Sequence, residues 1–191
     1  MTDSGAFLQW LVATLDRTGI AYMICGSWAS TFHGEQRATN DVDAVVDPTL
    51  SQLNALLESL GDDVYVNRAT AQEAFHQRSM FNLIDVESGF KADLILRKDR
   101  PFSIEEFRRR EPVDMLGITL YVVSAEDAIL SKLEWAKTGE SERQFRDAVG
   151  VAVVQWEKLD REYLQRWSRE LHIQDLLQRL LDEAQRLLPS E

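Results

Sequence analysis

Asp41 and Asp43 stand one residue apart in Asp41-Val42-Asp43-Ala44-Val45-Val46, where carboxylates alternate with apolar side chains. Residues two apart on a strand share a face, about 7 Å apart at their Cα atoms, so both carboxylates would project from one side while Val42 points to the core. Like charges placed this way need a cation. Hard oxygen ligands select Mg²⁺, which keeps several waters and is normally completed by substrate phosphates. Asp93, within the apolar run Ala92 to Leu96, would supply a third carboxylate, able to help hold a second ion and to deprotonate an attacking hydroxyl. Gly26-Ser27 follows the apolar run 21 to 25, and a glycine at a strand-to-helix turn lets backbone amides approach phosphate oxygens, with the Ser27 hydroxyl as an added donor. Taken singly, the Gly-Ser pair also reads as an ordinary helix cap and the Asp-x-Asp pair as exposed edge-strand acids.

These residues need elements to hold them. Phe7, Leu8, Leu11, Val12 and Leu15 recur at helical spacing and Gly19 stops them, which predicts an opening amphipathic helix. A strand over 21 to 25 breaks at Gly26-Ser27 into a short helix over 28 to 33, and a second strand covers 41 to 46. Leu50, Leu53, Leu56, Leu57 and Leu60 predict a helix ending at Gly61. The runs 81 to 86 and 92 to 96 flank Glu87-Ser88-Gly89 and predict a hairpin carrying Asp93. Lys91 would share the face of Asp93 if that strand begins early, but solvent exposure is its expected fate. A short strand over 118 to 123 is the last. From Ser124 onward only helical periodicity remains, over 125 to 137, 142 to 154, 163 to 171 and 173 to 188, so the domains are expected at 1 to 123 and 124 to 191.

The chain has 191 residues, with 21 Lys and Arg against 32 Asp and Glu, a formal net charge of -11. That balance disfavours broad coating of a nucleic acid. Arg108-Arg109-Arg110 with Arg97, Lys98 and Arg100 is the concentrated positive stretch, a solvated turn or helix face in its plainest reading. The single Cys25 excludes an intrachain disulfide and a cysteine zinc site, and with no long apolar span or basic leader the expectation is a cytoplasmic protein that does not enter membranes. His33, His76 and His172 are scattered without ligand partners. Trp135, Trp156 and Trp167 are expected to anchor helix packing, and Trp28 either packs under the sheet or stacks near a base.

The order of Gly26-Ser27, then Asp41-Val42-Asp43 about a dozen residues later, then a lone strand Asp some fifty residues on, resembles the polymerase-beta-like nucleotidyltransferase superfamily over roughly residues 1 to 123. The resemblance implies an α+β fold, a mixed sheet flanked by helices with a C-terminal helical bundle following. It implies two Mg²⁺ and a nucleoside triphosphate bound by Gly26, Ser27, Asp41, Asp43 and Asp93. Arg37-Ala38-Thr39-Asn40-Asp41-Val42-Asp43 is similar to the Arg-x-Thr-x-Asp-hydrophobic-Asp form of bacterial abortive-infection type IV toxins of the AbiEii kind, which adds Arg37 and Thr39 to the substrate-binding set. Leu130-Ser131-Lys132-Leu133 and Arg143-Gln144-Phe145-Arg146-Asp147 are similar to that group's helical motifs, implying Lys132 as a phosphate contact and Asp147 as its partner. Read apart from the family, Lys132 is a surface lysine and Asp147 a salt-bridge residue. The function implied is Mg²⁺-dependent transfer of a nucleotidyl group to a hydroxyl of RNA, protein or a small molecule, with a cognate antitoxin as a partner. The alternative is a non-catalytic nucleotide-binding or interaction module of a toxin-antitoxin or defence system.

Overall fold

The structure, a computed structural model, describes residues 3–34, 40–139 and 141–188. Arg37 and Thr39 lie outside the described residues. The chain is α+β, as expected, and divides into two units, Met1–Trp28 with Ala38–Val123, and Ala29–Arg37 with Ser124–Glu191.

The first unit is built on one mixed sheet. Its strands are β1 (Tyr22–Cys25), β2 (Asp41–Val46), β3 (Val64–Tyr65), β4 (Met80–Asp85), β5 (Lys91–Leu96), β6 (Glu111–Met115) and β7 (Ile118–Val122), in the order β3-β4-β5-β2-β1-β7-β6. The centre is parallel at β2 and β5, with β1 antiparallel to β2 and β4 antiparallel to β5. Alternation follows the pleat: Val42, Ala44 and Val46 on β2 and Ala92, Leu94 and Leu96 on β5 are buried and belong to the core cluster. Against them pack Phe7, Leu8, Leu11 and Leu15 of α1 (Ser4–Thr18) and Leu53, Leu56 and Leu57 of α3 (Leu50–Ser59). Both helices begin on side-chain caps. Asp3 accepts from the Ala6 amide at 2.7 Å, and Thr49 with Gln52 forms a capping box.

Four elements escape the sequence reading. In α4 (Arg68–Gln77) the buried positions are Ala71 and Ala74, too small to register as an apolar stripe. The helix α5 (Pro101–Arg108) starts on Pro101, which suits a first helical turn, and buries Phe102 and Phe107. Strands β3 and β6 are the sheet edges, one only two residues long and the other mostly exposed.

The second unit takes the end of α2 (Gly26–His33) and α6 (Ala125–Gly139), α7 (Glu142–Val154), α8 (Arg161–Glu170) and α9 (Gln174–Leu187). Phe145, Ala148, Val149 and Ala152 of α7 and Leu177, Leu180 and Ala184 of α9 form apolar stripes at helical spacing. Asp127 of α6 is fully buried and accepts from Ser124 Oγ at 2.7 Å and from Tyr163 Oη at 2.6 Å. A buried carboxylate that loses a donor keeps its desolvation cost. Tyr163→Phe is therefore expected to lower unfolding free energy by about 1–3 kcal/mol, read from urea denaturation. Trp167 is buried here as expected, whereas Trp135 is 66% exposed and does not anchor packing. Trp156 lies between, with the Arg161 guanidinium 3.9 Å from its ring centroid.

Candidate functional site

The site face of the sheet is fixed by register. Cys25 pairs with Asp43, Asp43 with Asp93, and Asp93 with Asn82, so a single row of four residues crosses β1, β2, β5 and β4. One row nearer the start of β2, Asp41 pairs with Lys91 and Lys91 with Ile84. Since Val42 and Ala92 turn to the core, Asp41, Asp43, Lys91 and Asp93 all share the opposite face. Neighbouring strands lie about 4.8 Å apart, so the Asp43 and Asp93 backbones are that close across the parallel pair. Three acids separated by up to fifty-two positions in sequence thus meet on one patch.

Gly26 closes the row. It follows Cys25 directly, adopts φ +61°, and a Cβ built there would lie 1.9 Å from Asp43 Oδ2 and 3.0 Å from Asp43 Cβ. Only a residue without a side chain permits both this left-handed turn and the approach of the Asp43 carboxylate to the start of α2. Ser27 takes the next position of α2, and Trp28 packs against the first unit's core with its indole Nε1 buried and unpartnered in the protein.

Two residues of the patch emerge mainly from the structure. Strand β5 begins at Lys91, so this lysine does share the face of Asp93, and the expectation of a solvent fate is corrected. Its Nζ lies 3.1 Å from Asp93 Oδ2 and 4.0 Å from Asp41 Oδ1. The hydrogen bond to Asp93 raises the Lys91 pKa above its ordinary value, opposed by burial and aided by the charges of Asp93, Asp41 and Asp43. Asn82 Nδ2 donates to Asp93 Oδ1, so each oxygen of Asp93 accepts from one protein donor. Asn82 was legible in principle, as a polar residue inside a mostly apolar strand placed opposite Asp93 by the hairpin turn. Asn82→Ala is expected to reduce any activity that depends on Asp93 by about 10- to 100-fold, as loss of a group orienting a ligand does, with little change in melting temperature.

The donor set fits divalent ions. Hard carboxylate oxygens line the patch, the Lys91 ammonium already sits between two of them, and the third, that of Asp43, lies against the bare Gly26 turn. As they stand, no three His, Cys, Asp or Glu side chains among the described residues converge into a metal cluster, Asp93 being turned to Lys91 and Asn82.

Lys132 and Asp147, in the second unit, are brought together. The largely buried Lys132 Nζ lies 3.4 Å from Asp147 Oδ2 and 3.4 Å from Gln144 Oε1, tying α6 to α7. The arginine stretch does not form one basic face: Arg97 binds Asp47 at 2.9 Å, Arg108 binds Glu105 at 2.7 Å, and Arg110 lies over the rings of Phe107 and Tyr121. His33 is buried and its carbonyl accepts from Gln155. Among the described residues no helix is long and apolar enough to cross a membrane.

In its fold the chain is similar to solved structures of nucleotidyltransferases and a nucleotidyltransferase-like protein. The antigenic nucleotidyltransferase-like protein from Paracoccidioides brasiliensis matches with a TM-score of 0.54 at 17% identity, over 78% of this chain and 75% of that one. ANT(2'')-Ia in complex with adenylyl-2''-tobramycin matches at 0.56 and 14% identity, over 88% and 96%. The lincosamide antibiotic adenylyltransferase LnuA, lincomycin-bound, matches at 0.52 and 15% identity, over 77% and 95%. No protein-family model and no curated protein sequence matches the chain.

Proposed function

We propose that the protein is a Mg²⁺-dependent nucleotidyltransferase that moves a nucleotidyl group from a nucleoside triphosphate to a hydroxyl. The observation that carries this reading is the in-register pairing of Asp43 with Asp93 beside a glycine whose missing Cβ admits the Asp43 carboxylate. Asp41, Asp43 and Asp93 would hold the ions, which supply charge neutralisation at the reacting phosphate. The Gly26-Ser27 turn and the start of α2 receive the triphosphate through backbone amides and the Ser27 hydroxyl. Asp93 takes the proton of the attacking hydroxyl as the new O–P bond forms at the α-phosphorus and pyrophosphate leaves. Arg37, Thr39, Lys132 and Asp147 complete the proposed substrate-binding set, the last two within the helical domain 124 to 191 that follows the core 1 to 123.

The formal net charge of -11 favours a compact acceptor over a long polyanion. Tobramycin and lincomycin, named with two of the fold neighbours, are small hydroxylated molecules and support the same choice, with RNA and protein hydroxyls as the other acceptor classes. A role as an AbiEii-like toxin of the bacterial cytoplasm, with a cognate antitoxin, rests on the Arg37 to Asp43 motif. A second reading, a nucleotide-binding module without turnover, is favoured by one observation: both oxygens of Asp93 already accept protein hydrogen bonds. The two part in one experiment. Incubation with each α-labelled NTP, Mg²⁺, and either cell extract or hydroxylated aminoglycosides and lincosamides is expected to give labelled product. Equal labelling by Asp41→Ala would end the enzymatic reading, and nucleotide-dependent thermal stabilisation without any product would favour the second.

A further inference from the structure

Resting on the metal and nucleotide reading above, we propose that Lys91 is a tethered cation. It fills the second cation position of the carboxylate patch, so the unloaded protein takes up one divalent ion and admits another only when Lys91 is drawn off Asp93 and Asp41. The parallel register sets Lys91 directly beside Asp41, and its Nζ lies 3.1 Å from Asp93 Oδ2 and 4.0 Å from Asp41 Oδ1. Asp93 is thereby satisfied on both oxygens, by Lys91 on one and Asn82 on the other.

A lysine suits such a replaceable role. Its ammonium is a point charge on a flexible four-carbon stem, able to pass from a carboxylate to a phosphate oxygen without backbone movement. A triphosphate arriving at the Gly26-Ser27 turn brings more negative charge than Asp93 and Asp41 offer. Lys91 then shifts to the phosphates and releases Asp93 to the second ion, coupling full loading of the patch to the presence of nucleotide. An incidental surface ion pair would be worth little and would leave ion stoichiometry untouched.

The test is Mn²⁺ binding to the full chain, counted by the electron paramagnetic resonance of free Mn²⁺. The wild-type protein is expected to bind one ion alone and two with a non-hydrolysable α,β-methylene triphosphate. Lys91→Met is expected to bind two without nucleotide, and Lys91→Arg one. Because Lys91→Met leaves like charges together, its melting is followed as well, and Mn²⁺ is expected to raise it further than it raises the wild type. Two ions on the unliganded wild type, or one on Lys91→Met with a wild-type Mn²⁺ response in melting, would overturn the proposal. If that happens while Asp41→Asn and Asp43→Asn still lose Mn²⁺, only the role of Lys91 fails. If no variant takes up Mn²⁺ with or without nucleotide, the metal and nucleotide reading fails with it.

Discussion

Gly26→Ala is expected to lower nucleotidyl transfer about 100-fold while leaving a folded protein, the usual consequence of misplacing a reacting group by about 1 Å. The new methyl would fall 1.9 Å from Asp43 Oδ2, which must move, and 3.0 Å from Asp43 Cβ, so rotation of the carboxylate alone gives incomplete relief. The φ of +61° adds a backbone cost of about 1–2 kcal/mol for any residue with a Cβ. Single-turnover kinetics with saturating Mg²⁺ and triphosphate would measure the first effect and urea denaturation the second. Wild-type turnover in this variant would mean that the Asp43 carboxylate is not held where the chemistry occurs. The open glycine positions make the control: a Cβ at Gly89 or Gly117 meets nothing within 4 Å, so alanine there carries the backbone cost alone.

The central part of this arrangement was legible because its signals are local. Alternation of Asp41, Val42, Asp43 and Ala44 declares a strand with one polar face, and the turn Glu87-Ser88-Gly89 declares the hairpin that brings Asp93 back. Which strands become neighbours is not a local property. Sequence order places β2 three strands before β5, yet the two pair in parallel with Asp43 opposite Asp93, and it is this crossover that assembles the patch. Lys91 meets Asp93 on its own strand at 3.1 Å, and the crossover adds Asp41 at 4.0 Å from the neighbouring one. The missed helix α4 illustrates a different limit, because burial through Ala71 and Ala74 depends on close approach and leaves no apolar pattern of large residues.

Local signals also overstate what they carry. Six basic residues between Arg97 and Arg110 look like a patch along the chain, but Arg97 shares Asp47 with Arg78, and Arg108 turns back to Glu105. Charges close in sequence were spent on neighbours that only the fold supplies. The acids of the sheet differ in kind, for they gather like charge on one face, with Lys91 set between Asp41 and Asp93. Concentrated like charge is costly to a fold and useful to a site.

Asp43→Asn is expected to reduce transfer by about 1000-fold, the equivalent of several kcal/mol of lost charge stabilisation at the reacting phosphate. Its stability should move the other way. Asparagine keeps the shape that fits beside Gly26, and it removes one of three formal negative charges from the patch, so melting is expected to hold or rise in the unloaded protein. Asp41→Asn provides the comparison. Asp41 is exposed where Asp43 is half-buried, so Asp41 interacts through more water, and its removal should cost less activity and relieve less repulsion. Melting curves with and without Mg²⁺, run beside single-turnover kinetics, would check both signs together: a metal-dependent rise in the wild type that is lost in Asp43→Asn is expected. A destabilised Asp43→Asn with unchanged transfer would make Asp43 a structural partner of the Gly26 turn and remove it from the chemistry.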